Sequence, residues 1–587
     1  MTCIDKSLYK VLYVDLTSKR FWIEDRSDLF EKYLGGVGVA VKLLEEEMPK
    51  GADPLGPDNV IVFAIGPLTA MYPMASKTIA VFKSPLTGNF GESHAGGRSA
   101  VAIRNAGYGA IVIKGASDIP VYLVIDNGGV KFRDARALWG MRSAITVGRI
   151  IREAEGGAGV RTIMRIGAAG EKLVRYASVM TETYRHFGRL GLGAVFGSKK
   201  LKAVMVAGKR TIPVKDKQAY RSVYDEIFKT AVESPAMKKY HDLGTAVNVL
   251  SLNKIKGLPT RNLKSAEFEG ADAISGEHLA EARLGRRIAC AHCPVACIHL
   301  AALREPYETE PYFYKTVFVS YDYELIYALG SMLGIRDPDG LLKLIDTVEV
   351  YGLDAMSTGV ILAWMTEALE GKIISEKETI TKLKWGDYQE YIKAVEYIVQ
   401  QPNDFYKAAA IGLDYLAEKY GGIDFALSHG GNPMPGYHTG PAAHIGYLIG
   451  ARHSHLDNAG YSLDQKLLGK TYPTPEELID KLVDEESWRQ ILSSLVVCFF
   501  ARGIYKPEVV AKALQPLGYT YTADDLKNIG FEIYKEKYRL KVREGFKVSK
   551  LRIPRRILKT PTPHGYIKEE YIVKALNYFK KKMGIPE

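Results

Sequence analysis

The sequence predicts an α+β protein, with a β-rich N-terminal domain followed by two mostly α-helical domains. Two observations support this. Short Val-, Ile- and Tyr-rich runs alternate with Gly-containing turns over the first ~210 residues. Beyond about residue 215, apolar residues recur at a spacing of three to four. A chain of 587 residues is also too long for a single hydrophobic core.

Short strands bounded by Gly, Pro, Asn and Asp are predicted for the N-terminal domain, residues 1–210. The runs are NVIVFAIGPLT, SKTIAVFKSPLTG, YGAIVIKGASDIPVYLVIDNGGVKF and LKAVMVAGKRTIPV. Within the third run, VIDNGGVKF predicts a β-hairpin.

Amphipathic helices are predicted for the remainder, which we divide into residues 211–410 and 411–587. Examples are KQAYRSVYDEIFKTAVE, DGLLKLIDTVEVYG and WRQILSSLVVCFFA. We find no internal repeat and no low-complexity segment.

The composition is that of an ordinary globular protein, with 47% hydrophobic and 25% charged residues. The net charge of +12 bears on partners and solubility and not on fold. No nucleic-acid-binding motif, signal peptide or membrane-spanning run is recognisable, so we expect no nucleic-acid partner and no membrane span. Five cysteines, three of them clustered, are too few for a disulfide scaffold and indicate a metal site in a reducing compartment, which we expect to be the cytoplasm. The Lys-rich, Gln-poor composition favours a thermophilic source.

Three of the five cysteines lie in the segment CAHCPVAC, as Cys290, Cys293 and Cys297. Closely spaced thiolates with one remote cysteine are typical of a [4Fe–4S] cluster, which needs one ligand for each iron. The remote candidate is Cys498, with Cys3 a weaker one. Two other interpretations stay open: a structural zinc site, which usually has paired ligands separated by a loop, and buried free thiols.

Four segments together resemble the aldehyde ferredoxin oxidoreductases, from near residue 8 to beyond residue 500. They are MASKTIAVFKSPLTGNFGESHAGGRSA, RIGAAGEKLVRYASVMTETYRHFGRLGLGAVFGSKKLKAV, the cysteine loop and YGLDAMSTGV, in the order of the family. The resemblance implies a tungsten bis-pterin cofactor between the domains, beside one [4Fe–4S] cluster. Molybdenum could occupy the same pterin, and Mg²⁺ could bridge the pterin phosphates. The length suits the less-studied tungsten oxidoreductases of broad aldehyde specificity.

Two Gly-rich loops have the composition that phosphate binding requires, because small residues let backbone N–H groups approach an anion. Gly191-x-Gly193 lacks the strand-to-helix context and the acidic residue of a dinucleotide site, which disfavours that alternative. By resemblance, the pterin-contacting residues of the two loops are Lys77, His94 and Gly96 in the first and Arg185, His186, Gly188 and Arg189 in the second. The family commonly has Arg and Asn at the positions of Lys77 and His94.

The resemblance also implies two pterin-binding motifs of the form D-x-x-G-L-(D/C). The first is EVYGLD, which contains Glu349, Gly352, Leu353 and Asp354. The second is degenerate: Ser493 replaces the acid, Val496 replaces Gly and Val497 replaces Leu before Cys498. The position of Cys498 after this motif implies that the fourth cluster ligand lies next to a pterin.

The family pattern places the catalytic residues at Glu324, His455 and Tyr437. Glu324 would activate water or carry a proton, and we expect burial to move its pKa toward the working pH. His455 would hydrogen-bond the aldehyde oxygen, whereas His453, two residues away, is expected to point elsewhere. Ala451 and Asp457 match further pterin-contacting positions. We also expect the tyrosine-rich stretch at 307–327 to form a wall of the substrate cavity.

The resulting functional prediction is oxidation of an aldehyde to a carboxylic acid, with electrons leaving through the cluster. One cluster on this chain requires a second protein as acceptor, either ferredoxin or a dedicated iron–sulfur subunit, so a homo- or hetero-oligomer is expected. The alternatives are a related tungsten enzyme that oxidises phosphorylated aldehydes or reduces aromatic acyl-CoA rings, and a non-catalytic zinc protein.

Overall fold

The computed structural model describes residues 4–157, 159–182, 184–307, 310 and 312–586. Its N-terminal part contains two six-stranded sheets. The first is built from β1 Lys10–Asp15, β2 Arg20–Asp25, β3 Ile61–Ala64, β4 Thr78–Lys83, β5 Phe90–Ala95 and β6 Ala110–Lys114. The second is built from β7 Val121–Asp126, β8 Gly129–Asp134, β9 Val160–Arg165, β10 Val179–Met180, β11 His186–Phe187 and β12 Leu201–Gly208.

Both sheets are mixed. The strand order of the first is β2-β1-β6-β3-β4-β5, with β1 and β6 parallel and the other pairs antiparallel. The order of the second is β11-β10-β9-β12-β7-β8, with β12 and β7 parallel. The central strands β3, β4 and β12 are buried along their whole length, which explains their nearly continuous apolar sequences. The predicted hairpin VIDNGGVKF is confirmed as the β7–β8 pair.

Six α-helices accompany these sheets. They are α1 Ser27–Tyr33, α2 Gly36–Glu47, α3 Ser99–Ala106, α4 Ala144–Ala154, α5 Ala168–Glu171 and α6 Leu192–Ser198.

The following half of the described chain is mainly helical. Its helices up to residue 411 are α7 Lys217–Glu233, α8 Pro235–Leu243, α9 Asn248–Lys254, α10 Gly276–Ala282, α11 Tyr323–Leu329, α12 Pro338–Tyr351, α13 Ala355–Glu370, α14 Glu376–Thr379, α15 Tyr388–Gln400 and α16 Asp404–Ile411. Those beyond it are α17 Leu413–Tyr420, α18 Pro441–Ile449, α19 His455–Asn458, α20 Gly460–Lys466, α21 Pro475–Ser494, α22 Pro507–Leu514, α23 Ala523–Arg543, α24 Arg555–Lys559 and α25 Glu569–Met583.

Two small sheets interrupt the helices. One contains β13 Leu284–Ile288, β14 Ile298–Pro306 and β15 Tyr314–Tyr321, all antiparallel. The other is the hairpin of β16 Ser428–His429 and β17 Asn432–Pro433. The three cysteines of CAHCPVAC occupy the connection between β13 and β14.

Two large hydrophobic cores stabilise the molecule. One joins the first sheet to the end of α21, α22 and part of α23, so C-terminal helices complete the N-terminal core. The other fills the helical body from residue 169 to residue 585. The predicted fold class, a β-rich N-terminal region followed by helical regions, is confirmed. The boundaries at 210 and 410 stay predictions. Among the described helices, none is both long and apolar enough to cross a membrane.

Candidate active site

One cavity brings together most of the residues that the sequence singles out. Loops of both six-stranded sheets, the cysteine loop and helices of the helical body contribute to its wall. The predicted residues that line it are Lys77, His94, Gly96, Arg185, His186, Gly188, Arg189, Cys290, Cys293, Cys297, Glu324, Glu349, Leu353, Asp354, Tyr437, His455, Val497 and Cys498.

Four predicted residues lie behind the cavity wall instead. Gly352 ends α12, and its carbonyl accepts a hydrogen bond from the Ser178 N–H. Ser493 is buried, with its backbone against Gly36. Ala451 and Asp457 form the layer behind the wall; Asp457 Oδ1 lies 2.6 Å from Nε of Arg452, whose side chain does face the cavity.

Backbone hydrogen bonds hold the cysteine loop against the segment that carries Cys498. The Cys498 N–H donates to the Met74 carbonyl at 2.9 Å, and the Met74 N–H donates to the His292 carbonyl at 3.0 Å. The Ala291 N–H donates to the Gly97 carbonyl at 2.8 Å. Residues 74–97 therefore connect Cys498 to the other three cysteines.

Several residues of this junction adopt positive φ angles that side chains rarely favour. The angles are +64° at Met74, +57° at His292, +50° at Ala296 and +56° at Val496. A left-handed backbone conformation destabilises a non-Gly residue by about 1–2 kcal/mol. It persists where packing and hydrogen bonds of the surrounding residues hold the backbone in place. Val496 stands where the resemblance implies Gly, and the left-handed φ supplies the physical reason for that preference.

The four thiols are half-buried and face one part of the cavity. Burial raises the pKa of Cys293 to about 12 and that of Cys297 to about 11, and the nearby Cys498 thiolate adds to both shifts. The Arg185 guanidinium opposes the shift at Cys297. Thiolate is thus costly here unless a cation compensates it. Among the described residues, no three Cys, His, Asp or Glu side chains converge on one ion position, as a mononuclear zinc site requires.

Gly96 leaves the space that this thiol cluster needs. A Cβ at this position would lie 2.8 Å from Cys290 Sγ and 3.4 Å from Lys77 Nζ. A contact below 3.0 Å forces one of the two groups to move, so a side chain at residue 96 would displace Cys290 Sγ from its present position.

Arg189 presents a donor to the cavity that the protein leaves unused. Its Nε donates to Asp354 Oδ2 at 3.3 Å and its Nη2 donates to the Pro433 carbonyl at 2.7 Å. Its Nη1 is buried and has no protein partner, and the same holds for His186 Nε2. Buried donors are normally paired, so this side of the cavity suits a polar or anionic ligand.

The first pterin-type motif is fixed to the N-terminal region by its backbone. Gly352 has φ +75° as the C-cap of α12. The Asp354 N–H donates to the Tyr176 carbonyl at 3.0 Å. The Asp354 carboxylate caps α13 through the Met356 N–H at 3.1 Å, and Arg189 also contacts it. Asp354 therefore orients Arg189 while it starts a helix.

Glu324, Tyr437 and His455 converge at the wall of the cavity. Tyr437 Oη donates to Glu324 Oε1 at 2.8 Å, and His455 Nε2 lies 3.1 Å from the same oxygen. The His455 and Tyr437 side chains are both almost completely buried, and Tyr437 stacks on Tyr461 with ring centroids 4.1 Å apart. His455 Nδ1 is buried without a protein partner.

The expectation that burial would raise the pKa of Glu324 is wrong. Burial does act in that direction, but the hydrogen bond and charge of His455 and the hydrogen bond of Tyr437 outweigh it and lower the pKa. Two other carboxyl groups of the cavity do have raised pKa values: that of Asp322 is raised to about 6 by burial and by the charge of Glu324, and burial raises that of Glu349 well above its usual range. Asp322 also lines the cavity, 3.6 Å from Arg185.

His453 is not part of the cavity wall. Its Nδ1 contacts the Tyr447 carbonyl at 2.9 Å and its Nε2 lies 2.9 Å from Lys541 Nζ. The two histidines of RHSHLD thus diverge, as the two-residue spacing predicts.

Sequence reasoning missed a buried ionic network beside the first Gly-rich loop. Glu92 lies 2.5 Å from Lys537 Nζ, 2.5 Å from His94 Nε2 and 3.7 Å from Arg452 Nη1. Lys537 and Arg452 outweigh burial and hold the pKa of Glu92 far below its usual range. Burial and the Arg452 charge lower the pKa of His94 to about 4. The His94 ring is therefore a neutral partner of Glu92.

The tyrosine-rich stretch at 307–327 contributes to the cavity wall, but none of its described tyrosines does, so the prediction of a tyrosine wall is wrong. Within it, the cavity is lined by Asp322, Glu324 and Leu325. Tyr323 and Tyr327 are buried in the helical core, and Tyr312 is exposed at the far end of β14 and β15. Residues 308, 309 and 311 of this stretch lie outside the described residues. The tyrosines that do line the cavity are Tyr240, Tyr437 and Tyr461.

Two family models match the chain. The model described as aldehyde ferredoxin oxidoreductase, N-terminal domain, matches residues 11–208. The model described as aldehyde ferredoxin oxidoreductase, domains 2 and 3, matches residues 222–584.

Similar proteins agree with these matches. The tungsten-containing aldehyde ferredoxin oxidoreductase of Thermococcus kodakarensis is 33% identical over 574 residues, 95% of this chain and 92% of the relative. The aliphatic sulfonate oxidoreductase WOR-like subunit of Pyrococcus furiosus is 31% identical over 410 residues, 67% of this chain and 64% of that subunit. A solved active-site complex BamBC of benzoyl coenzyme A reductase has a chain of the same fold, with a TM-score of 0.83 at 22% identity, covering 98% of this chain and 94% of that one.

Proposed function

The chain belongs to the aldehyde ferredoxin oxidoreductase family of tungsten-containing oxidoreductases, and we propose that it oxidises aldehydes to carboxylic acids. The observation that carries this proposal is the convergence of Glu324, His455 and Tyr437 on the cavity that four cysteines also face. The overall change is RCHO + H2O → RCOOH + 2 H⁺ + 2 e⁻. The chain must therefore hold an aldehyde, accept protons and pass on two electrons.

The residues around the cavity fit a tungsten bis-pterin and a [4Fe–4S] cluster. Arg189 and His186 would hold phosphate or pterin through their unused buried nitrogens. Cys290, Cys293, Cys297 and Cys498 would ligate the cluster. When bound, the metal–pterin centre supplies the two-electron redox chemistry; molybdenum on the same pterin is the alternative metal.

Glu324 is the group placed to accept a proton. Its carboxylate stays ionised because Tyr437 donates to it and His455 lies within hydrogen-bonding distance. If His455 carries protons on both nitrogens, Nε2 donates to Glu324 and Nδ1 donates to the aldehyde oxygen. That hydrogen bond would orient the aldehyde and stabilise negative charge on its oxygen.

The substrate end of the cavity is apolar around these polar groups. Leu325, Met356 and Leu456 line it together with Tyr437 and Tyr461. Such a surface binds aliphatic or aromatic groups of the substrate.

The electrons would leave on the cysteine side. One cluster accepts one electron at a time, so a second protein must remove both in sequence. That protein is ferredoxin or a dedicated iron–sulfur subunit.

An anaerobic screen of aldehydes with a small dye acceptor, on metal-analysed protein, tests the proposal. Dye reduction with a carboxylic acid as product is the expected result. Two other results would instead support the related tungsten chemistries. One is turnover of phosphorylated aldehydes only, and the other is ring reduction of an aromatic acyl-CoA without aldehyde oxidation.

A further inference from the structure

The sheet of β13, β14 and β15 connects the cysteine loop to exposed aromatic side chains. We propose that the outer face and tip of this sheet, formed by Arg286, Arg304, Tyr312, Phe313 and Tyr314, dock an acidic iron–sulfur electron-transfer protein. We call these five residues the aromatic arm. The proposal rests on the proposed function, because it assigns the acceptor of the electrons that the cysteine side releases.

The cysteine loop is itself a connection of this sheet. β13 ends at Ile288, two residues before Cys290, and β14 begins at Ile298, directly after Cys297. At ~3.3 Å a residue, the nine residues of β14 place its far end roughly 26 Å from the cysteine loop. A small protein that contacts the exposed tip and far half of the sheet would have to extend over this distance to bring its own cluster toward the thiols.

The two faces of the sheet differ in character. Ala302, Arg304 and Pro306 pair with Phe318, Thr316 and Tyr314 and share the outer face. The opposite face packs against α12 and includes the buried Leu303 and Val319. The outer face is exposed in its far half, where Arg304 and Tyr314 lie, whereas Leu300 and Ser320 nearer the cysteine loop are buried.

Arginine and aromatic side chains alternate along the outer face. The Arg304 guanidinium lies over the Tyr314 ring at 5.0 Å, and the Arg286 guanidinium lies over the Phe318 ring at 5.3 Å. Beyond the strands, Tyr312 is 91% exposed and Phe313 is 63% exposed. Clusters of exposed aromatic residues with Arg are typical of the centres of protein interfaces.

Along the strands, charge favours an acidic partner for this face, while the tip also carries the exposed carboxylate of Glu310. Within the described residues, Arg286 and Arg304 have no carboxylate partner, whereas the inward-facing Glu305 is paired with Lys343 at 2.9 Å and Lys315 at 3.6 Å. The chain as a whole carries a net charge of +12. Complementary charge accelerates the encounter with an acidic protein and orients it.

The test compares two acceptors on the metal-loaded full-length protein. The variants are Arg304→Glu and the pair Tyr312→Ser with Phe313→Ser. We expect each to raise the KM for an acidic two-[4Fe–4S] ferredoxin by about tenfold or more. Aldehyde oxidation with the dye should stay within twofold of wild type, because none of these residues lines the cavity.

Binding provides a second readout that does not depend on turnover. The Kd of the same ferredoxin, measured by biolayer interferometry, should rise by a similar factor. Arg221→Glu and Tyr566→Ser, at exposed positions outside the arm, serve as matched controls and should change neither value.

Three outcomes separate the possibilities. Unchanged ferredoxin KM and Kd in the arm variants, with normal dye activity, would overturn the docking proposal and leave the proposed function intact. A wild-type dimer that the arm variants convert to monomer would assign the arm to self-association and also overturn it. Failure of the wild type to oxidise aldehydes with the dye would contradict the proposed function; the Kd comparison would still decide the docking proposal.

Discussion

At the scale of single residues, the chemistry depends on how a buried carboxylate stays ionised. Burial alone would favour neutral Glu324, yet Tyr437 and His455 contact the same Oε1 and lower its pKa. Asp322, without such contacts, has a pKa raised to about 6. The two buried neighbours therefore differ because His455 and Tyr437 stabilise the Glu324 carboxylate, whereas Asp322 has the like charge of Glu324 beside it.

Replacement of this carboxylate tests its role. Glu324→Gln should reduce dye-linked aldehyde oxidation by about 10²- to 10⁴-fold, the range typical of a lost general base. Metal and iron content should stay at the wild-type level, because the Glu324 side chain contacts Tyr437 and His455 and no cysteine. Glu277→Gln, on the exposed first turn of α10, is the matched control. Wild-type turnover in Glu324→Gln would exclude the proposed role.

The hydrogen bond of Tyr437 should be visible in the pH profile. Tyr437→Phe removes one contribution that lowers the pKa of Glu324, while the raising effect of burial remains. The pKa of Glu324 should then rise, and the acid limb of the kcat/KM profile should move to higher pH. An unchanged or downward-shifted acid limb would show that Glu324 does not control it.

Individual residues differ in how far the sequence could reveal them. Glu324, His455 and the cysteines stand in local patterns that resemblance could place. Arg452 and Lys537 could not be found in this way, because their common partner Glu92 is distant in sequence and nothing local marks the contact. The prediction that the tyrosines of the 307–327 stretch line the cavity failed because composition does not show which side of a strand or helix faces a cavity.

At the scale of elements, short loops determine the geometry of the site. The cysteine loop, the segment from Met74 to Gly97 and the end of α21 are joined by backbone hydrogen bonds. Positive φ angles concentrate at this junction. These features keep Cys498 beside three cysteines that lie some two hundred residues earlier in the chain.

Cysteine replacement tests this assembly. Cys498→Ala should lose or degrade the cluster, measured as iron and acid-labile sulfide for each chain and by electron paramagnetic resonance. Cys3→Ala, at the weaker candidate ligand outside the described residues, should keep about four irons. If Cys498→Ala kept an intact four-iron cluster and Cys3→Ala lost it, Cys3 and not Cys498 would be the fourth cluster ligand.

The turn after α12 offers a test of backbone conformation. Gly352 has φ +75°, and a Cβ there would lie 3.0 Å from the Gly167 N atom. Gly352→Ala should therefore lower stability by about 1–2 kcal/mol, seen as a lower Tm. Gly156→Ala, at a position with free space and no positive φ, is the control. A Tm for Gly352→Ala equal to that of the control would contradict the strain argument.

Element types were largely predictable, whereas their ends were not. KQAYRSVYDEIFKTAVE is the helix α7, and DGLLKLIDTVEVYG covers most of α12, because each has a clear apolar stripe. The predicted helix WRQILSSLVVCFFA instead ends at Ser494. Its apolar residues continue beyond that point because Val496 and Val497 are buried in the N-terminal core, which local periodicity cannot distinguish from a helix.

At the scale of the whole molecule, the cavity lies where the N-terminal sheets meet the helical body. C-terminal helices complete the N-terminal core, so distant parts of the chain are fixed relative to one another around the site. This arrangement places Arg189 and His186, the Glu324 cluster and the thiols around one space. Sequence periodicity predicts none of this assembly; the resemblance of several loops to one family does.

The central claim is that one cavity holds both a metal–pterin redox centre and the [4Fe–4S] cluster that passes its electrons on. Metal analysis of the anaerobically purified full-length protein, followed by the dye-linked aldehyde assay on the same sample, tests it most directly. We predict about four irons and one tungsten for each chain, with conversion of an aldehyde to its carboxylic acid. The account would be contradicted by protein that contains one equivalent of zinc, neither iron nor tungsten, and shows no aldehyde-dependent dye reduction.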